Sequence, residues 1–144
     1  MRLIDRAIAG TKAGEVVAPV GELVGFRPTS IETGKAVFEL DAGPQHANPM
    51  GTLHGGIICD IADAAMGVAY ASTLGEGESF TTLELKINFL RPFRTGKLIA
   101  NAHLVKGGRT IGLVECDVTD TEGRLVARAM STCMTLRGDA GEGR

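Results

Sequence analysis

The chain has 144 residues, 44% of them hydrophobic, and a formal net charge of -2. That length suits one domain with a real core and is too short for two, so a single domain over residues 1–144 is the expectation. The near-neutral charge gives no general electrostatic reason to bind nucleic acid. Cys59, Cys116 and Cys133 make no CxxC or other metal-type spacing, which fits packing residues in a reducing compartment.

The charged start Met1-Arg2-Leu3-Ile4-Asp5-Arg6 offers neither a signal-peptide core nor a membrane span, so the default location is the cytoplasm. Residues 2–9 read as a short helix laying Leu3, Ile4, Ala7 and Ile8 on the rest of the fold. Val20 to Arg27 and Lys35 to Leu40 read as two strands of a hairpin turned at Glu32-Thr33-Gly34, because Ala36, Phe38 and Leu40 alternate with more exposed positions. Residues 41–53 hold two prolines and two glycines and read as a long constrained loop, a common place for function.

Gly55 to Ser72 is the one long helical candidate. On a helical wheel its Ile, Ala, Met and Val residues cover most of the circumference, while Gly56, Asp60, Asp63 and Gly67 share one narrow stripe. A helix apolar nearly all round belongs inside the domain. Four strands follow: Thr82 to Phe89, Leu98 to Val105, Thr110 to Val118 and Leu125 to Leu136. In the first, Leu83, Leu85, Ile87 and Phe89 fall on one face and Thr82, Glu84, Lys86 and Asn88 on the other. Gly107-Gly108 and Asp120-Thr121-Glu122-Gly123 are short enough for antiparallel hairpins. The tail from Gly138 reads as disordered. The class is α+β, a curved, mostly antiparallel six-stranded sheet wrapped around one apolar helix.

Four groups of residues could carry chemistry. The run Asn48-Pro-Met-Gly-Thr-Leu-His54-Gly55-Gly56 leads straight into the helix, whose first N–H groups lack intrahelical partners and point at anything negative. The glycines serve equally as a tight turn, with His54 as a cap. Asp63, about two turns into the helix with Asp60 on the same stripe, is either a carboxylate with a perturbed pKa or an ordinary surface charge. In the loop, the Asn48 amide can orient water or a carbonyl, whereas His46 suits loop fixing. Arg91, Arg94, Lys97, Lys106 and Arg109 fall at strand ends and would gather around phosphates if those ends are neighbours. His103, mid-strand, has no assigned role.

The spacing N-x5-HGG-x6-D, followed by Ile87-Asn88-Phe89-Leu90-Arg91-Pro92, resembles the hotdog-fold acyl-CoA thioesterases of the phenylacetate-degradation (PaaI-like) type over roughly residues 20–137. The resemblance implies a homodimer, or a homotetramer built from it, in which strand 82–89 pairs with its twin and the helix start of one subunit faces the carboxylate of the other. It implies an aryl- or fatty-acyl-CoA substrate, with Gly55 donating its N–H to the thioester oxygen and His54 holding the turn. Asp63 would be general base or nucleophile, Asn48 would position water or substrate, and Gly56 and Thr82 would lie at the same pocket. Arg91, Arg94, Lys106 and Arg109 are its candidates for the coenzyme A nucleotide. It calls for no metal and no cofactor beyond the coenzyme A of the substrate. Thioester hydrolysis agrees, since it needs donors for the carbonyl oxygen and an attacking group on the opposite side.

Two other readings stay open here. A hotdog acyl-thioester dehydratase or hydratase normally carries a His followed by Phe-Pro in the loop, which this sequence lacks. A non-catalytic acyl-CoA-binding regulator would need a DNA-binding segment, for which about twenty residues before the first strand leave little room. The sizeable aromatics available to line a pocket are Phe26, Phe38, Tyr70, Phe80, Phe89 and Phe93.

Overall fold

The computed structural model describes residues 1–5 and 18–141. Leu3 to Asp5 are helical, and the rest of the helix expected over 2–9 lies outside the described residues. Helix α1 (Pro19–Val24) stands in place of the first part of the strand expected over Val20 to Arg27. Pro19 sits in the first turn, where a missing N–H breaks no bond. Gly25 ends the helix with a left-handed φ of 100°, its N–H donating to the Gly21 carbonyl at 2.8 Å.

Strand β1 (Phe26–Glu32) then turns at Thr33-Gly34 into β2 (Lys35–Ala42), as the hairpin reading expects. Helix α2 (Gly55–Ala71) follows, and then β3 (Ser79–Phe89), β4 (Gly96–Gly107), β5 (Ile111–Thr119) and β6 (Leu125–Leu136). The sheet order is β1-β2-β4-β5-β6-β3, with every neighbouring pair antiparallel. One helix wrapped by this sheet is the hotdog architecture. Among the described residues no helix is long and apolar enough to cross a membrane.

The core forms where the apolar surface of α2 meets the inner face of the sheet. Ile58, Ile61, Ala62, Ala65, Met66 and Ala69 pack with Leu40, Leu98, Ala100, Val114 and Val118. Alanines at 100 and 102 on β4 let the helix approach the sheet, while Ile61, Leu40 and Leu98 are fully buried. Each such large side chain stabilises the fold by about 1.5–3 kcal/mol. Cys116 and Cys133 are buried and Cys59 half-buried, all three as free thiols.

Strand β3 departs from the simple alternation. Its register against β6 shifts between Thr82 and Glu84, leaving Leu83 as an extra residue that is 52% exposed. The bulge reverses the parity of the strand. Phe80 therefore shares the helix-facing side with Leu85 and Ile87. Thr82 turns toward α2, where it lines a cavity with Asp63, and does not join the polar face of Glu84, Lys86 and Asn88. β3 pairs only with β6, so its other edge is unpaired among the described residues. Past β6, Gly138–Gly141 form a short 3-10 turn rather than a disordered start to the tail.

Candidate active site

The loop before α2 is held almost entirely by its own side chains. The Gly43 N–H donates to His46 Nδ1 at 3.0 Å, so His46 Nε2 carries the proton and donates it to the Val24 carbonyl at 2.7 Å. With both ring nitrogens used and the ring buried, His46 fixes the loop, as expected. Asn48 does similar work: its Oδ1 accepts from the N–H groups of Met50 and Thr52 at 3.0 and 3.2 Å, and its Nδ2 donates to Thr52 Oγ1 at 2.7 Å. One amide hydrogen is all that this side chain has left to offer a water or a carbonyl.

Two backbone bonds set the position of the helix start. The Leu53 N–H donates to the Phe93 carbonyl at 2.7 Å, and the His54 N–H to the His46 carbonyl at 2.9 Å. His54 is the N-cap of α2, its Nδ1 accepting the Gly56 N–H at 2.9 Å. The Ile57 N–H donates to the His54 carbonyl at 3.0 Å. The Gly55 N–H is thereby left as the first-turn donor with no partner among the described residues. The ring of Phe89 lies over it, so close that a Cβ on Gly55 would fall 2.9 Å from Phe89 Cζ. A side chain at position 55 would have to displace this ring, which is itself more than half exposed. Sequence reading placed Phe89 only among six possible lining aromatics; its place at the end of the strand running into Arg-Pro was the available signal.

The carboxylates lie farther along α2. Asp60 and Asp63 both border a cavity of about 520 Å³ between α2, β3 and the β1–β2 hairpin. Asp63 keeps a solvent-facing edge, yet burial of its carboxylate by the surrounding protein, with the like charge of Asp60 adding to it, raises its pKa above the ordinary aspartate value. Thr82 lines the same cavity, with its Oγ1 3.8 Å from the Cys133 sulfur. The thiol of Cys133 is pushed up chiefly by burial and to a lesser degree by the Asp63 charge, which places these groups together. Gly67, the next member of the polar stripe, is buried against Phe80. Asp60, Asp63 and Gly67 thus border a lined cavity, while Gly56 and Asp63 are also exposed to solvent.

The expected basic cluster does not form within one chain. Arg91 and Arg94 lie between β3 and β4 and Lys97 at the start of β4, whereas Lys106 and Arg109 lie at the other end of that strand. Twelve residues of β4 separate the two groups by roughly 35 Å. The ends of consecutive antiparallel strands alternate between the two sides of a sheet, so nearness in sequence does not bring these charges together. Three of the five have local partners. Arg94 donates to the Gly51 carbonyl at 3.2 Å, Lys97 lies 3.3 Å from Glu39, and the Arg109 carbonyl accepts from Arg137. His103 is exposed on the outer face of the sheet, 3.6 Å from Glu115.

The family model "Thioesterase superfamily" matches residues 50–127, more than half of the chain and all of the segment from the glycine turn through α2 to β6. Mouse acyl-coenzyme A thioesterase 13 is 30% identical over 100 residues, 68% of this chain and 71% of the relative. The 1,4-dihydroxy-2-naphthoyl-CoA hydrolase of Listeria monocytogenes is 29% identical over 111 residues, 77% of this chain and 90% of the relative. Among solved structures, a mutant of the phenylacetic acid degradation protein PaaI from Thermus thermophilus superposes with a TM-score of 0.76 at 26% identity, covering 81% of this chain and 98% of that one.

Proposed function

The chain belongs to the thioesterase superfamily and is a thioester hydrolase, and from that premise we propose that it cleaves aryl- or fatty-acyl thioesters of coenzyme A at sites shared between two copies. The observation that carries the sharing is a separation. Gly55 and Asp63 are eight residues apart on one helix, about 12 Å along its axis, whereas an oxyanion donor and an attacking group must each come within about 3 Å of one thioester. In the proposed dimer the two groups come from different copies, the Gly55 N–H from one and Asp63 from the other. The unpaired edge of β3 supports a dimer in which the strand pairs with its twin, further assembled as a tetramer.

In the reaction, the carbonyl oxygen rests on the Gly55 N–H, and the negative charge that develops there is held by the free donor and the positive end of the α2 dipole. Asp63 attacks the carbonyl carbon or takes a proton from the attacking water, and Thr82 at the rim of its cavity holds that water. Coenzyme A leaves as the thiolate; in the nucleophilic route the acyl-aspartyl anhydride so formed is then cleaved by water, which releases the acid and restores the Asp63 carboxylate. His54 and Asn48 keep the donor in place, Gly56 being engaged by His54. The nucleotide rests on the basic residues at the sheet ends, Arg91 and Arg94 from one side and Lys106 and Arg109 from the other, brought together only by a second copy. No cofactor is needed, coenzyme A being part of the substrate, and the three free thiols suit a cytoplasmic enzyme.

The test is complementation. Gly55→Ala and Asp63→Asn proteins, each inactive on a panel of aryl-, phenylacetyl- and fatty-acyl-CoA followed by thiol release, are mixed and exchanged. Recovery of thiol release in the mixture supports the shared site; a mixture as inactive as its parts, or a monomer by light scattering, overturns it. Hydration of an enoyl-CoA without thiol release would instead make the chain a hydratase.

A further inference from the structure

The cavity beside Asp63 has one polar end and otherwise apolar walls. Asp60, Asp63 and Thr82 stand at that end, and the walls are built by Ile4, Phe26, Phe38, Val68, Ala71 and Phe80. Along α2 the lining runs from Asp60 and Asp63 through Ala64, Gly67 and Val68 to Ala71, so the space extends about 12 Å along the helix axis beyond Asp63. The small residues at 64, 67 and 71 leave this room. A Cβ at Gly67 would come within 3.2 Å of Phe80 Cζ, which sets the width halfway along. Leu3 and Ile4 near the chain terminus also line the space. Ile4 is 2% exposed, and the terminal ammonium of Met1 lies 3.0 Å from Glu76 in the turn beyond α2.

Resting on the thioesterase reading above, we infer that this cavity receives the acyl group, that the acyl groups accepted are unbranched or aryl-ended and wholly apolar, and that Ala71 and Ile4 set how long they can be. The thioester carbon stays by Asp63 while the chain runs down the helix past Gly67 and Phe80. Among the described residues the lining beyond the Asp63 end offers no charged side chain, so a second carboxylate at the tip of the acyl group finds no pairing cation among them. Width at Gly67 and Phe80 excludes branching midway. The N-terminal segment thus acts as a specificity element although it lies outside the matched thioesterase segment.

The test uses S-alkyl coenzyme A thioethers of increasing chain length, which bind but cannot be hydrolysed, with affinity measured by calorimetry on the full chain. Affinity should rise about fourfold per added methylene, the worth of one buried CH₂, and stop rising once the chain reaches Ala71. In Ala71→Leu the plateau should come at a shorter chain, and in Ile4→Ala at a longer one; the second variant serves even where the first fails to fold. An ω-carboxylated thioether of intermediate length should bind at least tenfold more weakly than its methyl-ended counterpart. Affinity independent of chain length, or a plateau unmoved by both substitutions, overturns the assignment. The measurement is separable from catalysis: failure to release thiol from any acyl-CoA refutes the hydrolase reading, whereas the thioether series alone decides the cavity.

Discussion

His54 accepts the Gly56 N–H on its Nδ1 at 2.9 Å, so the imidazole caps α2 with the nitrogen that a general base would need. It acts on the site by holding the turn. His54→Ala should lower unfolding stability in urea by about 1 kcal/mol, the usual worth of a side-chain cap, and His54→Asn should keep most of it. An alanine variant as stable as the parent would remove the capping role.

The two aspartates border one cavity but should differ in consequence. Asp63→Asn preserves shape and removes the charge, so the protein should fold, bind acyl-CoA and lose on the order of 10²-fold or more in kcat. Asp60→Asn should lose far less. Reversal of that order would move the catalytic assignment to Asp60.

Acidity links Asp63 to both rate and stability. Burial and Asp60 raise its folded pKa above the ordinary aspartate value, and only the ionised form can attack or take a proton. Activity should therefore fall on the acid side at a higher pH than a free aspartate would give, and Asp60→Asn should move that limb to lower pH. A raised folded pKa makes the protonated group the stabilising form, its contribution present below the unfolded pKa and lost as pH rises through the folded one. Asp63→Asn should consequently melt no lower than the parent at neutral pH, while the gap closes in acid. Melting clearly below the parent at neutral pH would contradict the burial argument.

Charge-neutral substitution at Arg91, Lys106 or Arg109 should raise KM for acyl-CoA and leave kcat nearly intact, because nucleotide binding is uniform between ground and transition states. The same substitutions should leave acyl-pantetheine kinetics unchanged. Arg94→Gln should behave differently, since Arg94 also braces the Gly51 carbonyl in the loop that carries Asn48. A fall in kcat there with both substrates would report the loop, and identical behaviour of all four would show that the brace is idle.

What could be read from the residues followed from periodicity. The all-round apolar surface of α2 announced a buried helix, and Asp60, Asp63 and Gly67 of its polar stripe marked the side that lines the cavity. Errors arose where one residue changes the geometry. The apolar run at Val20 suits strand or helix alike, and Pro19 with Gly25, a helix opener and a helix stop, decided it. The place of Thr82 depended on one extra residue, Leu83, which β-propensity does not reveal because a bulge is settled by the partner strand. The basic set failed on topology, since strand length and direction separate residues that sequence brings close.

The free side of β3 bears on how a single chain behaves in solution. The outer edge of this eleven-residue strand, without a partner among the described residues and with Leu83 and Phe89 more than half exposed, makes a template for adding a passing strand. The bulge at Leu83 twists that template, and Glu84 and Lys86 place charge along it, two devices that discourage indiscriminate stacking. They slow aggregation without abolishing it. If a second copy covers this edge as proposed, dilution during refolding or a substitution on the edge should lower the soluble yield even where the core is untouched.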